Sequence, residues 1–303
     1  MRHLLLIDAL SEYGSVVRAA EHLHITQPVA TRALHELEKI LGVRLFDRGP
    51  RGIHPTIFGT AFTEHARAVL GQLRQAGNHV ADLAEGATGT VVVGNHLAGA
   101  NILLPRAIAR AKADHPNLTV VVHEANPDAL MAELLAGRVD LIVGRLTSHT
   151  APARITQKAL YREPIRLVTR DGHPARELAD PSLSALIDYP WILPIGETAL
   201  RRELEDVFFR AELPLPRNRV ECTSVPTLRQ LLLETNSIAA LPMLVAHHDT
   251  ELAPLTTPLP SLGRPVGVTM PTTRHLSPSA QVLLEQLYSV TDDIRAAVAE
   301  SDL

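Results

Sequence analysis

The sequence lacks the features expected of an exported or membrane protein. It has one cysteine, Cys222, among 303 residues, which excludes a disulfide within the chain and is typical of the reducing cytosol. No second cysteine is present to complete a redox switch within the chain, so we interpret Cys222 as a small, partly buried residue at a strand end. Its apolar runs are too short to span a bilayer, and no secretion signal opens the chain. We therefore expect a cytoplasmic protein with no membrane partner.

The motifs of common enzyme classes are also missing. The sequence contains no G-x-S-x-G, G-x-G-x-x-G, P-loop or H-E-x-x-H pattern. Its 15 histidines are scattered, and the adjacent His247 and His248 would not share a helix face. We therefore predict no catalytic residues, no metal site and no cofactor.

Residues 15–59 carry the most specific pattern in the chain. Ser15 can cap a first short helix, while Thr26 and Pro28 mark the start of a second helix that ends at Gly42. A small hairpin and a long helix follow. Two helices joined by a tight turn can place the second helix in the major groove of DNA. The alternative is an amphipathic helix pair with no role in DNA binding.

These residues resemble the DNA-binding domain of the LysR-type transcriptional regulators. The matching segments are Ser15-x-x-Arg18-Ala19-Ala20, Leu23-x-Ile25-Thr26-Gln27-Pro28, Leu34-x-x-Leu37-Glu38, Leu41-Gly42-Val43-Arg44-Leu45-Phe46-Asp47-Arg48 and Pro55-Thr56-x-x-Gly59. The resemblance implies a winged helix-turn-helix over residues 1–59 that binds double-stranded DNA. The DNA-binding residues that it implies are Ser15, Arg18, Thr26, Gln27, Pro28, Thr31, Arg32, His35, Arg48 and Arg51. Ala33 and His35 depart from the residues common in the family, so the operator sequence does not follow.

The predicted DNA-binding segment is only weakly basic. The whole chain has a net charge of −4, and residues 1–60 contain seven arginines and lysines against six aspartates and glutamates. DNA binding by one copy would therefore depend on a few placed arginines and on helix N-termini. A second copy would double these contacts, which favours an oligomer.

A heptad pattern follows the hairpin. Apolar residues recur with strict 4-3-4-3 spacing in a helix predicted from Thr56 to about Glu85: Phe62, Ala66, Val69, Leu73, Ala76, Val80 and Leu83. We interpret this seam as the dimerisation surface of a linker over residues 60–89, as the resemblance also implies. The alternative is a helix docked on its own chain.

Residues 90–303 alternate strands and helices, which predicts an α/β domain with a mainly parallel sheet. The pattern crosses near Ile165 into a second lobe and returns near Val266. We place the first lobe at about 90–162 and 266–303 and the second at about 163–265. The resemblance implies a two-lobed, periplasmic-binding-protein-like effector domain. A cleft between two such lobes is the natural site for a small ligand.

The predicted effector site lies beyond the carboxyl ends of the strands. The candidate residues are Asn95, His96, Leu97, Asn126, Arg145, Gly196, Glu197, Thr198 and Ser224. Arg145 suits a carboxylate-bearing effector, with Asn95 and Thr198 as further contacts, whereas Glu197 would repel it unless it pairs with Arg201 or Arg202. The alternative for Asn126, Thr198 and Ser224 is a role as helix caps only.

The sequence thus predicts a LysR-type regulator that binds promoter DNA as a dimer or tetramer and responds to a small effector. RNA polymerase is a further candidate partner. The segment Tyr189–Pro194, with Arg201-Arg202 and Leu241-Pro242, resembles the branch that controls aromatic-acid or sugar uptake and catabolism. Two alternatives stay open: a constitutive DNA-binding protein whose second domain serves oligomerisation, and an enzyme in the two-lobed part.

Overall fold

The computed structural model of the chain describes most of its residues. The described ranges are 1–49, 52–85, 89–96, 102–146, 154–162, 164–179, 181–196, 198–247, 249–259 and 265–301. Side chains are described throughout these ranges except at 78, 79, 81–85, 247 and 296–301. Within the described residues, no helix combines the length and the hydrophobicity needed to cross a membrane.

The N-terminal part is a helical core with a two-stranded hairpin and a long helix. Its elements are α1 (Arg2–Tyr13), α2 (Val16–His22), α3 (Gln27–Leu41), β1 (Phe46–Gly49), β2 (Gly52–Pro55) and α4 (Ile57–Glu85). The two strands are antiparallel and pair Phe46 with Pro55. The predicted helix pair, hairpin and long helix are confirmed.

Local chemistry fixes the turn between α2 and α3. The backbone N–H of Arg18 donates to Ser15 Oγ at 3.5 Å, as predicted for a cap. His24 has a positive φ of 53°, which lets Ile25 N donate back to Ala20 O at 2.9 Å. Thr26 occupies the N-cap position of α3, but its side chain makes no capping hydrogen bond. Gly42 ends α3 in the left-handed conformation.

The buried face of α3 is narrower than its sequence indicates. Val29 and Leu41, two apolar residues of α3, are 40% and 39% exposed. The core-facing residues are instead Ala30, Ala33, Leu34 and Leu37, at the i, i+3, i+4 and i+7 positions of one helix face. Val29 lies beside this face, and Leu41 lies at the helix end.

The linker helix α4 starts as predicted and then packs on the helix-turn-helix domain of its own chain. Thr56 Oγ1 accepts from Gly59 N at 3.1 Å and donates to Arg44 O at 2.8 Å. Phe62 packs against the helix-turn-helix core, and Ala66 is 1% exposed. Phe62 of the predicted seam therefore packs on the domain that precedes the linker, and the buried Ala66 leaves almost no surface for a partner helix.

Two five-stranded sheets form the rest of the chain. The first-lobe elements come in the order β3 (Thr90–Asn95), α5 (Leu103–Asp114), β4 (Thr119–Glu124), α6 (Pro127–Leu135), β5 (Leu141–Arg145) and β6 (Ile155–Arg162). The second lobe contains β7 (Ile165–Arg170), a 3₁₀ turn (Pro174–Glu177), α7 (Leu183–Leu186), β8 (Trp191–Leu193), α8 (Ala199–Arg210), β9 (Arg219–Glu221), α9 (Val225–Glu234), β10 (Ile238–Pro242), α10 (Met243–His247) and β11 (Leu252–Pro254). The chain returns to the first lobe through β12 (Pro265–Pro271) and ends in α11 (Pro278–Ser301).

The prediction of a mainly parallel sheet is wrong. The strand orders are β4-β3-β5-β12-β6 and β11-β7-β10-β8-β9. In the first sheet β3 pairs in parallel with β4 and β5, whereas β12 is antiparallel to β5 and β6. The second sheet is mixed in the same way. The antiparallel pairs arise at the two crossings between the lobes, because β7 and β12 enter each sheet from the other lobe.

Candidate DNA-binding surface and effector site

The exposed start of α3 and the hairpin form one open groove. Its lining consists of Gln27, Pro28, Thr31, Arg32, His35 and Arg48. All six residues were predicted to bind DNA from the sequence, and the structure brings them together. Pro28 lacks an N–H, so the first turn of α3 presents one backbone donor fewer than an ordinary helix start. Arg18 is exposed on α2, while Arg51 lies outside the described residues.

Glycine and glutamate contacts set the position of the hairpin. The hairpin approaches α1 so closely that a Cβ at Gly52 would lie 2.3 Å from Gly14 O, and Gly52 has a φ of +127°. Glu38 Oε1 accepts from Leu45 N at 2.8 Å and from Phe46 N at 3.2 Å, which ties α3 to the start of the hairpin. These contacts hold Arg48 beside the exposed face of α3.

The described seam residues beyond Ala66 lie on the surface of the chain. Val69 is 47% exposed, Leu73 is 44% exposed and Val80 is 65% exposed. Ala76 is exposed as well, and the side chain of Leu83 lies outside the described part. The seam is therefore shorter than predicted and begins at Val69.

Three predicted effector residues lie together at the carboxyl ends of the parallel strands β3 and β5. Asn95 ends β3 and is 7% exposed, and its Oδ1 has no hydrogen-bond partner among the described residues. The ring of His96 fills the space beside Gly144, where an added Cβ would lie 2.6 Å from His96 Nε2. Arg145 ends β5 and is half-buried. Burial, together with the charge of Arg145, lowers the pKa of His96 to about 4.

Two predicted effector residues serve as helix caps. Asn126 Oδ1 accepts from Ala129 N at 2.9 Å. Thr198 Oγ1 accepts from Arg201 N at 3.2 Å and donates to Ile195 O at 3.0 Å. Because its only hydroxyl proton is used, Thr198 has none to donate to an effector carboxylate. In this structure Thr198 therefore acts as a helix cap.

The remaining second-lobe candidates flank β8 and β9. Gly196 is exposed, and nothing lies within 4 Å of a Cβ added there. Ser224 precedes α9 without capping it and accepts from Thr227 Oγ1 at 3.0 Å. Leu97 and Glu197 lie outside the described residues.

Arg201 is a buried guanidinium that has several partners among the described residues. Arg201 is 5% exposed and donates to Glu205 Oε1 at 2.8 Å and to Pro194 O at 2.9 Å. It also pairs with Glu221 Oε1 at 3.1 Å, which with Arg219 lowers the pKa of Glu221. This guanidinium therefore anchors α8 to the neighbouring strands.

The sequence analysis did not predict a second polar cleft. It lies at the amino ends of β3 and β5, at the opposite end of these strands from Asn95 and Arg145. It is lined by Arg74, Gln75, Thr90, Val92, Gly137, Arg138, Asp140, Arg274 and Ser277. These residues come from four segments far apart in the chain, and none belongs to a local motif. Only the fold brings them together.

Comparison with known proteins identifies both parts of the chain. Residues 1–60 match the family described as bacterial regulatory helix-turn-helix protein, lysR family, and residues 84–291 match the family described as LysR substrate binding domain. The chain is 34% identical over 299 residues to the HTH-type transcriptional regulator GbpR of Azospirillum brasilense, covering 96% of this chain and 86% of that protein. It is 33% identical to the HTH-type transcriptional regulator PcaQ of Agrobacterium fabrum, covering 78% of this chain and 76% of that protein.

Solved structures share the fold over nearly the whole length. A full-length OxyR variant from Pseudomonas aeruginosa has a TM-score of 0.64 at 22% identity and covers 94% of this chain and 93% of its own. Full-length CbnR complexed with its target DNA has a TM-score of 0.60 at 22% identity and covers 96% of this chain and 99% of its own. With the helix-turn-helix and substrate-binding matches, these findings show that the chain belongs to the LysR family and is a DNA-binding transcriptional regulator with an effector-binding domain.

Proposed function

We propose that the protein binds promoter DNA as a homodimer or homotetramer and reads base edges with the start of α3. The observation that supports this is the convergence of Gln27, Thr31, Arg32 and Arg48 on one open groove. Gln27 and Thr31 suit contacts with base edges, whereas Arg32 and Arg48 suit phosphates. Arg18 supplies a further phosphate contact, Ser15 caps α2, Thr26 occupies the N-cap position of α3, and Arg51 is included among the proposed DNA-binding residues.

Selection from random DNA tests this proposal without knowledge of the operator. Two helix-turn-helix domains should enrich paired half-sites whose centres lie about one helical turn, or a multiple of it, apart. Enrichment of a single isolated half-site would contradict binding as an oligomer.

The proposed domain organisation assigns residues 1–59 to DNA binding, 60–89 to the linker and 90–303 to the effector domain. Val69, Leu73, Ala76 and Val80 form the proposed seam, and apolar side chains exposed at heptad spacing are best covered by a second helix. Bacterial regulators bind chromosomal DNA in the cytoplasm, and we propose a cytoplasmic location for this protein. RNA polymerase is the proposed partner for activation.

We propose that the effector is a small carboxylate that also carries a hydroxyl or N–H group. Arg145 suits the carboxylate, and the buried Asn95 Oδ1 calls for a hydrogen-bond donor from the ligand. His96 lies beside both and stays uncharged at neutral pH, because its pKa is lowered to about 4. A hydroxy acid supplies both groups, which agrees with the proposed branch for aromatic-acid or sugar uptake and catabolism.

A thermal-shift screen of matched ligand pairs tests the effector. Each hydroxy acid is compared with its deoxy analogue, and specific binding to the native state raises Tm. Calorimetry on Arg145→Ala should then show at least a tenfold loss of affinity for any hit, and an unchanged affinity would reject that role. If no acid shifts Tm and DNA binding is the same with and without the panel, constitutive binding is favoured instead.

A further inference from the structure

The polar cleft between the linker helix and the first lobe has an unusual charge balance. It encloses about 240 Å³ between α4, the turn after α6, the first residues of β3 and the segment before α11. Three guanidinium groups line it, those of Arg74, Arg138 and Arg274, together with one carboxylate, Asp140. The cleft therefore contains two positive charges that no carboxylate of its lining balances.

The single carboxylate is already committed to the backbone. Asp140 Oδ2 accepts from Val92 N at 2.9 Å. Burial raises the pKa of Asp140, which opposes full ionisation, although the nearby Arg274 acts the other way. Outside the lining, Asp8 attracts Arg74, but Asp8 pairs with Arg67 at 2.6 Å. Neither acid can neutralise the cluster.

Backbone contacts hold two of the guanidinium groups in place. Arg74 Nη2 donates to Ala136 O at the end of α6, and Arg274 Nη2 donates to Val139 O at 2.6 Å. Each of these bonds uses one of the five N–H donors of its arginine. Burial lowers the pKa of both Arg74 and Arg274, and the charge of Arg138 adds to the effect at Arg74.

Arginines elsewhere in the chain show what a purely structural cluster looks like. Arg229 pairs with Asp249 at 2.5 Å and with Glu251 at 2.6 Å, so two carboxylates meet one guanidinium. Arg201 likewise meets Glu205 and Glu221. The cleft reverses this ratio, because three guanidinium groups share one carboxylate. An arrangement of this kind is stable when an anion occupies it.

We propose that this cleft binds a small dianion, either phosphate or a short dicarboxylate, that bridges the linker helix to the effector domain. The volume suits a ligand of this size, and Thr90 adds a hydroxyl to the lining. The anion would join Arg74 on α4 to Arg138 and Arg274 on the first lobe and relieve their mutual repulsion. It would thus stiffen the junction between the DNA-binding and effector-binding parts, at a site separate from Asn95 and Arg145.

Calorimetry on the full-length protein, titrated with sodium phosphate and separately with sodium succinate, tests the site. The buffer contains chloride only, at constant ionic strength, because sulfate and phosphate also stabilise proteins by general exclusion from their surfaces. We expect saturable binding of at least one of the two anions and a matching rise in Tm. The anion that binds with the lower Kd identifies the chemical class.

Variants separate a specific site from general salt effects. Arg138→Gln and Arg74→Gln should each weaken anion binding by at least tenfold. The Arg138 side chain is exposed and makes no hydrogen bond among the described residues, so its replacement should not impair folding. The control is Arg110→Gln, whose arginine pairs with Asp293 on α11, and Arg145→Ala marks the effector site. Both should bind the anion like the parent. No saturable binding, or equal binding by Arg138→Gln and the parent, would overturn the proposal.

Discussion

Arg67 Nε on the linker helix donates to Asp8 Oδ1 on α1 at 2.6 Å. The two side chains are 28% and 16% exposed, so the pair is partly shielded from water. The bond joins α4 to the first helix of the DNA-binding domain, 59 residues earlier in the chain. The orientation of the helix-turn-helix is therefore coupled to that of the linker.

The first prediction concerns this pair. A double-mutant cycle with Arg67→Met and Asp8→Asn should give a coupling energy of about 1 kcal/mol, because the pair is only partly buried. Arg67→Met alone should cost more than the double variant, since it leaves the Asp8 carboxylate without its partner. Urea denaturation of the full chain measures both values, and strictly additive effects would show that the pair contributes nothing.

The second prediction concerns the phosphate contact of Arg32. Arg32→Ala should weaken binding to all DNA sequences. It should also make the slope of log K against log salt shallower by about 1, the value expected when one phosphate contact is lost. Lys39→Ala is the matched control, because Lys39 is a cationic residue in the last turn of the same helix, away from the groove. Fluorescence anisotropy at four salt concentrations measures the slope, and a slope equal to that of the parent would reject the contact.

The third prediction separates base reading from positioning. Gln27→Ala should change which sequences are bound, with a loss of about 1–3 kcal/mol of discrimination at one base pair of each half-site. Affinity for non-specific DNA should stay the same, because the phosphate contacts are intact. Selection from random DNA with the parent and the variant makes the comparison. Identical enriched sequences would exclude base reading by Gln27.

The fourth prediction concerns the exposed seam. Leu73→Glu should dissociate the oligomer, because it would place a carboxylate in an apolar helix interface. Ile40→Glu is the control, since Ile40 is also an exposed apolar residue, at 68%, and lies outside the seam. Sedimentation velocity at micromolar concentration distinguishes the species. A Leu73→Glu variant that sediments like the parent would place the dimer interface elsewhere.

The fifth prediction is a pH dependence that arises at His96. Its pKa is about 4 in the folded chain against an ordinary 6.5, so the unfolded chain binds more protons between these values. The folded state therefore has its full stability above about pH 6.5 and loses about 1–3 kcal/mol through this residue as the pH falls to about 4. His96→Gln should flatten the stability curve in that window. Parallel curves for parent and variant, with only a constant offset, would exclude titration of His96.

The DNA-binding half could be predicted almost completely from the sequence. Caps, turn residues and apolar spacing act over a few residues, so Ser15, Gly42 and the hairpin follow from local rules. The burial of Phe62 and Ala66 could not be predicted in this way. Heptad spacing shows that a face is apolar, but it does not show which surface covers that face. Phe62 packs against its own domain and Ala66 is buried, whereas Val69, Leu73 and Val80 of the same pattern are exposed.

The effector half was predictable as a pattern of strands and helices, but not as a site. Thr198 and Asn126 are residue types that suit both capping and ligand binding, and only hydrogen-bond geometry distinguishes the two roles. Parallel and antiparallel pairing depends on the crossings between the lobes, which a list of strands does not contain. The arginine cleft could not be predicted from the sequence at all, because Arg74 and Arg274 are 200 residues apart in the chain.

The length of α4 has a mechanical consequence. Its 29 residues extend about 43 Å at 1.5 Å per residue. A tilt of about 5° at the effector end therefore displaces the other end by roughly 4 Å, which is close to the rise of one base pair along DNA, about 3.4 Å. A small tilt of α4 at its effector end would thus move the attached helix-turn-helix by about one base-pair step along DNA.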